Sequence, residues 1–236
     1  MKRILSSLLV LIIVFCVLFA TSNNVPLQYK LKMHKDVGEK PPVLFLLHGY
    51  GSNKNQFNDV IEIIDGRFLV VSIEAPYGFM LGFLNRWYEF NIIDGDTASN
   101  QTQIEHSKQR ILSTIDTINK QYNYDISNVF IGGFSQGGIM AFNLGLSHPE
   151  YFAGIFAHSA RIPIKYTLRN SEDDYKDLNV LILHGTEDSF SKKWSIQAKA
   201  FFDGLGANAE YFEDSIGHEM SKKTITKIYS WLNSSL

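Results

Sequence analysis

The sequence predicts an α/β fold, a mostly parallel central sheet with helices on both faces. Two observations carry the prediction. Short, continuous apolar runs, such as Val43–Leu47 and residues 180–183 (Val-Leu-Ile-Leu), lack the alternation of a half-wet strand and match strands buried on both faces. Between such runs, apolar residues recur every three or four positions, which is the spacing of one helix face. The chain has 236 residues, enough for one sheet with a sizeable core. No repeat, linker or low-complexity run divides it, so residues 23–236 are expected to form one domain.

Taken in order, residues 26–33 alternate loosely through Leu27, Tyr29, Leu31 and Met33 and predict an edge strand. Pro41-Pro42 delivers the chain into Val43–Leu47, which exits at His48-Gly49-Tyr50-Gly51. A second buried run, 68–73, closes at Ala75-Pro76, and an aromatic loop follows over 77–90 with Phe79, Phe83, Trp87, Tyr88 and Phe90. Ile104, Ile111, Ile115, Ile118 and Tyr122 stand 7, 4, 3 and 4 apart, which predicts a one-faced helix. Val129-Phe130-Ile131 reads as a buried strand, and Ile139, Phe142 and Leu146 mark the helix after it. Pro149 closes that helix ahead of a strand at 153–157, and 180–183 supplies the next. Trp194, Ala198, Phe201 and Leu205 give a helix ended by Gly204 and Gly206. A short strand at 209–212 and a helix through Ile225, Ile228, Tyr229 and Leu232 complete the chain.

The first 22 residues stand apart. Lys2 and Arg3 precede an apolar run over 4–20, and Ala20-Thr21-Ser22 is a small-x-small exit, so a secretory signal cleaved after Ser22 is expected. The competing reading is an uncleaved anchor, because 17 residues are at the lower limit for spanning a bilayer. The only cysteine, Cys16, fills this apolar run, and a cleaved chain would carry no disulfide. A net charge of −2 with no Lys/Arg block argues against nucleic acid as partner. A secreted or extracytoplasmic protein is expected, touching a membrane only if 4–20 remain as an anchor; oligomeric state stays open.

Active sites in parallel sheets collect at the carboxyl ends of the strands. Three exits therefore become candidates: Leu47 to His48, Phe134 to Ser135, and Leu183 to His184. The second lies inside Gly133-Phe134-Ser135-Gln136-Gly137, a match to G-x-S-x-G between a strand and a helix. A strand that turns abruptly into a helix crowds its backbone, and glycines relieve the crowding. Such a turn lifts the Ser135 hydroxyl clear of the sheet and aims the Gln136 N–H where an oxyanion would form. The alternative is a Gly-rich turn whose serine only caps the helix.

A serine nucleophile needs an oriented base. Of the seven histidines, His34 and His106 sit at no strand exit, and His148 before Pro149 reads as a helix-end residue. His48 and His184 each precede a glycine and are expected to be buried and to shape their turns, whereas His158 is open to either role. His218 is singled out because its loop falls between the last strand and last helix, downstream of both Ser135 and the candidate acids. Glu187 and Asp188 both follow the 180–183 strand. Asp188, farther into the loop, is preferred, with Glu187 as the alternative. The second oxyanion donor is expected from the first strand's exit, at the Tyr50 N–H, leaving the Tyr50 side chain to line the pocket.

With these pieces placed, the chain resembles the carboxylesterase/phospholipase group of α/β-hydrolases, which includes acyl-protein thioesterases and small bacterial carboxylesterases. The resemblance runs from about Val43 onward. It rests on Leu46-Leu-His-Gly-Tyr-Gly51, Ala75-Pro76, Trp87-Tyr88, Gly132-Gly-Phe-Ser-Gln-Gly-Gly138, Leu183-His-Gly-Thr-Glu-Asp188 and Gly217-His218. It implies an α/β-hydrolase fold, a triad of Ser135, Asp188 and His218, oxyanion donors at Tyr50 and Gln136, and Trp87 as a wall of the acyl site. Relatives often carry a small hydrophobic-proline run after the aspartate, whereas this chain has Ser189-Phe-Ser-Lys-Lys193, so the family's substrate does not carry over directly; Phe79 and Phe190 are expected substrate contacts beside Trp87. Phe79 and Phe83, flanked by Gly78 and Gly82, are candidates for a mobile flap against an apolar acyl chain.

The activity expected is hydrolysis of small-molecule or lipid carboxylic esters through an acyl-enzyme, which requires no metal or cofactor. The alternatives are an acyl thioesterase, an extracellular polyester or feruloyl-type esterase, and a hydrolase-fold binding protein without turnover.

Overall fold

The computed structural model describes residues 25–33, 38–64, 66–79, 83–93, 96–169, 171 and 174–236. The expectations for residues 1–22, including Cys16, and for His34 and Gly82 lie outside the described residues. Among the described residues no helix is long and apolar enough to cross a membrane.

Seven strands form one sheet: β1 (Tyr29–Lys32), β2 (Val43–Leu47), β3 (Leu69–Ile73), β8 (Val129–Phe134), β9 (Gly154–His158), β10 (Asn179–Gly185) and β11 (Asn208–Asp214). Their spatial order is β1-β3-β2-β8-β9-β10-β11. Every pairing is parallel except that of the edge strand β1 with β3. All seven coincide with runs singled out in the sequence.

Because successive side chains point to opposite faces, each apolar run feeds two cores. Val43, Phe45 and Leu47 of β2, with Val129 and Ile131 of β8, pack beneath α2 (Gln101–Tyr122), α3 (Gln136–Ser147) and α4 (Lys193–Gly204). Leu44, Leu46, Phe130 and Phe156 pack on the other face against α1 (Asn58–Ile63) and α5 (Lys222–Ser234). The sequence gives no clear sign of α1: it spans six residues and its N-cap, Phe57, makes no side-chain capping bond. By contrast, Asn100 caps α2 by accepting from Gln103 N, and Ser221 and Thr224 form a capping box at the start of α5.

The aromatic loop is more ordered than expected. It contains one hairpin, β4 (Tyr77–Phe79) with β5 (Leu84–Arg86), and a second, β6 (Phe90–Ile93) with β7 (Asp96–Ser99), begins at its last residue. The first braces the β2 exit: Gly51 N donates to Asn85 O at 3.0 Å and Asn85 N to Ser52 O at 2.9 Å.

The α5 face is keyed by Trp231, which meets Phe130 and Phe156 edge-on at ring-centroid distances of 5.8 and 6.5 Å. Trp231→Ala is expected to lower unfolding free energy by about 3–5 kcal/mol, the usual range for truncating a buried aromatic. Urea denaturation followed by far-UV circular dichroism measures it, and a loss under about 1 kcal/mol would show that this face is not a tightly packed core.

Candidate active site

The site begins with a backbone turn. Ser135, between β8 and α3, sits at φ 53°, ψ −117°, a conformation that costs a non-glycine residue roughly 1–3 kcal/mol. Two close approaches enforce it. A Cβ on Gly137 would lie 1.9 Å from the Leu47 carbonyl oxygen, and one on Gly133 would lie 2.4 Å from the Gly137 carbonyl carbon. The start of α3 is therefore pressed against the β2 exit as only glycine permits. Ser135 N donates to His158 O at 2.8 Å, while the Ser135 side chain makes no capping bond to α3. The hydroxyl is not a helix cap.

The loop after β10 turns Asp188 inward through its N–H bond to Gly185 O at 3.1 Å. The Asp188 carboxylate has no exposed surface, whereas Glu187 is exposed. Asp188 Oδ2 lies 2.8 Å from His218 Nδ1, and Oδ1 accepts from Phe190 N at 2.8 Å. Burial alone would raise the Asp188 pKa. Bonds from the Phe190 N–H, His218 and the Ser159 hydroxyl outweigh it and hold the acid below the usual carboxylate range. An ionised carboxylate only accepts, so Nδ1 of His218 carries the proton and Nε2 is left as the basic nitrogen. The ring is fixed by Phe134 and Phe190, at centroid distances of 4.8 and 4.9 Å.

Gln136 opens α3, so its N–H belongs to the first turn and has no intrahelical partner. Tyr50 N makes no hydrogen bond among the described residues. The Gln136 side chain fastens the neighbouring loop, accepting from Trp87 N at 2.9 Å and donating to Tyr88 O at 2.8 Å. The Trp87 indole N–H in turn donates to His48 O at 2.7 Å.

Ser135 and His218 line one cavity of about 290 Å³. Its walls are aromatic: Tyr50, Tyr88, Phe90, Phe190 and Trp194. Phe190 and the Tyr50 side chain, both expected to line a pocket, are among them. Two other expected contacts are not. Trp87 is fully buried and absent from the cavity wall, because its ring fills the core beside His48 and its N–H is taken by a backbone carbonyl. Phe79 is also absent from the wall; it packs behind Tyr50 at 5.4 Å, under the Arg86 guanidinium. Phe83 is 76 % exposed and lines no part of the cavity either. A larger concavity, about 450 Å³, lies at the amino ends of the strands around Asn128, Ala153 and Asn179, away from every strand exit.

The other described histidines make contacts within the fold. His48 is buried, donates from Nδ1 to Gly49 O at 2.8 Å, accepts from Ala75 N at 3.0 Å, and is held neutral by burial. His184 braces the acid loop: Nδ1 meets the Ser195 hydroxyl at 2.8 Å and Nε2 the Phe190 carbonyl at 3.2 Å. His106 bonds the Tyr77 hydroxyl at 2.7 Å, and His148 caps the end of α3. His158 is completely buried, with Nδ1 3.0 Å from the Ser159 hydroxyl and Nε2 without a partner among the described residues. Ser159, Arg161 and Trp194 line the cavity but were not legible as site residues. Ser159 carries one late signal, a non-glycine φ of 54° just past β9.

Tyr50, Ser135, Gln136 and His218 thus line one cavity at the carboxyl edge of the sheet, with Asp188 bonded behind the imidazole. Residues 32–236 match the Phospholipase/Carboxylesterase family model, and the chain belongs to that family of hydrolases. It is 27% identical over 216 residues to the mouse lysophospholipase-like protein 1, covering 83% of this chain and 87% of that one. It is likewise 27% identical over 176 residues to acyl-protein thioesterase 1 of Mycosarcoma maydis, covering 66% and 72%. The fold matches the crystal structure of a Bacillus cereus carboxylesterase with a TM-score of 0.75 at 22% identity, over 92% of this chain and 99% of that one.

Burial, and then the neighbouring His184 and His218, push His158 down to about 3. The unfolded chain takes up this proton near 6.5, the folded chain only near 3, so His158 erodes stability as pH falls through that window. Between pH 6 and 4 the unfolding free energy of His158→Gln should fall less steeply than that of the parent, by about 1.4 kcal/mol per pH unit. Urea melts at several pH values measure the two slopes; parallel slopes would mean that the folded state accepts the proton.

Proposed function

We propose that the chain is a serine hydrolase that cleaves carboxylic esters through a Ser135–His218–Asp188 triad and an acyl-enzyme. His218 Nε2 takes the Ser135 proton as Oγ bonds to the acyl carbonyl carbon. The Tyr50 and Gln136 N–H groups hold the resulting oxyanion. The imidazolium then protonates the leaving alkoxide as the C–O bond breaks, and Asp188 stabilises the charged ring meanwhile. Water attacks the acyl-enzyme with His218 again as base, releasing the acid and restoring the serine.

The observation that carries this reading is the 2.8 Å bond between His218 Nδ1 and the buried Asp188 carboxylate, on an imidazole that shares a cavity with a serine in a strained turn. Family membership supports the substrate class, small-molecule or lipid esters. A second reading, acyl thioester cleavage, draws support from the similarity to the Mycosarcoma maydis thioesterase. We also propose that the protein acts outside the cytoplasm, on the strength of Lys2-Arg3, the apolar residues 4–20 and Ala20-Thr-Ser22. The mass of exported protein tests it: a loss of 22 residues supports export with cleavage, and an intact mass in the cytoplasm contradicts it.

Ser135→Ala should lower kcat on 4-nitrophenyl butyrate by about four or more orders of magnitude, as triad deletions do. Parent-like turnover by a folded Ser135→Ala chain would falsify the assignment. Parallel rates on an oxoester and its thioester with the same acyl group separate the two substrate readings; a thioester preference above about tenfold in kcat/KM favours the second.

A further inference from the structure

Among the described residues the cavity lining carries one permanent charge. Arg161, three residues past the end of β9, lines the same cavity as Ser135 and His218. Its guanidinium lies over the Trp194 ring, 5.9 Å from the centroid. Among the described residues its one hydrogen bond is long, from Nη1 to the neighbouring Ile162 carbonyl at 3.4 Å. No carboxylate meets it among the described residues. Several other shielded cations do pair with a carboxylate, Arg86 with Glu89, Lys108 with Glu105 and Lys54 with Glu74, whereas Arg110 instead donates to the Val25 and Pro26 carbonyls.

A guanidinium has five N–H donors in a planar fork that matches a carboxylate. Here the fork stands over the Trp194 ring at cation–π distance, while its donors have almost no acceptor among the described residues. The surroundings strengthen the case. Five aromatic rings line the cavity, and an anion held among apolar walls meets a cation less screened by water than at a free surface. Among the described residues no Asp or Glu side chain lines the cavity. The volume, about 290 Å³, stands at the small end of the range for ligand pockets, which suits a short acyl group.

We propose that the site selects compact esters carrying a carboxylate, such as half-esters of short dicarboxylic acids, and that Arg161 holds that carboxylate while the ester carbonyl lies at Ser135. Arg161 is a specificity-determining residue in this proposal; the oxyanion remains with the Tyr50 and Gln136 amides. The catalytic part of the proposal rests on the hydrolase reading given above, whereas the anion site does not.

The test uses two substrates of equal length, 4-nitrophenyl hydrogen glutarate and its neutral methyl ester, methyl 4-nitrophenyl glutarate. The readout is the ratio of their kcat/KM values, whatever a substitution does to absolute rates. The parent should favour the anionic ester, and Arg161→Gln should lower the ratio by about tenfold or more, the size of a lost charge-assisted hydrogen bond. Arg161→Lys should keep part of the preference, since it keeps the charge and loses the fork. An unchanged ratio in Arg161→Gln, or a parent that favours the neutral ester, overturns the proposal and leaves the hydrolase reading intact. If the parent cleaves neither ester, the hydrolase reading fails for such substrates, and titration calorimetry with glutarate decides the anion site. Binding that is lost in Arg161→Gln supports the site; absent binding, or equal binding by both proteins, overturns it.

Discussion

The contact on which the rest of the site depends is the one between the start of α3 and the exit of β2. At Gly137 the two backbones approach so closely that a methyl group would overlap the Leu47 carbonyl. That approach bends Ser135 into a strained turn and sets the first amide of α3 beside the 48–51 loop. The strain of roughly 1–3 kcal/mol is small against the two apolar cores that fix β2, β8 and α3 in place. Gln136 extends the constraint outward: its side chain fastens Trp87 and Tyr88, and Trp87 returns to fasten the His48 carbonyl. The loop carrying Tyr50 is thereby held from the helix side, and the β4–β5 hairpin holds it from the other through Asn85.

The second constraint is electrostatic. A carboxylate without exposed surface is costly unless its lone pairs are satisfied. Asp188 meets this condition through Phe190 N, His218 Nδ1 and the Ser159 hydroxyl, and remains ionised. The same bonds fix the imidazole tautomer, so the pairing that makes burial of the acid tolerable also makes Nε2 of His218 basic. His184 adds a brace behind the loop by joining the Phe190 carbonyl to Ser195 of α4. A helix far along the chain thus shares in positioning the acid.

The central sheet was legible because its strands are continuous apolar runs, and the Ser135 turn because its glycines bracket a strand–helix junction. The choice of Asp188 over Glu187 was open in sequence, since both follow the same strand. The structure separates them through a tight turn that points one side chain inward and leaves the other in water. Trp87 misled for a physical reason: an indole offers the same apolar surface to a core as to a pocket, and only the partner of its N–H tells the two apart. Arg161, Ser159 and Trp194 could not be picked out, because they reach the cavity from the β9 exit and from α4, elements that no local motif ties to Ser135. The α1 helix lacked a cap, and the hairpins in and after the aromatic loop lacked alternation, so neither left a periodic signal.

The central claim is that one hydroxyl, one imidazole and two amides converge on a single reacting carbon. A crystal structure of the protein after reaction with a fluorophosphonate tests it most directly. The account predicts phosphorus bonded to Ser135 Oγ, the phosphoryl oxygen within about 3 Å of both Tyr50 N and Gln136 N, and His218 Nε2 facing the adduct. An adduct on another residue, or a phosphoryl oxygen turned to solvent with both amides unoccupied, would contradict it.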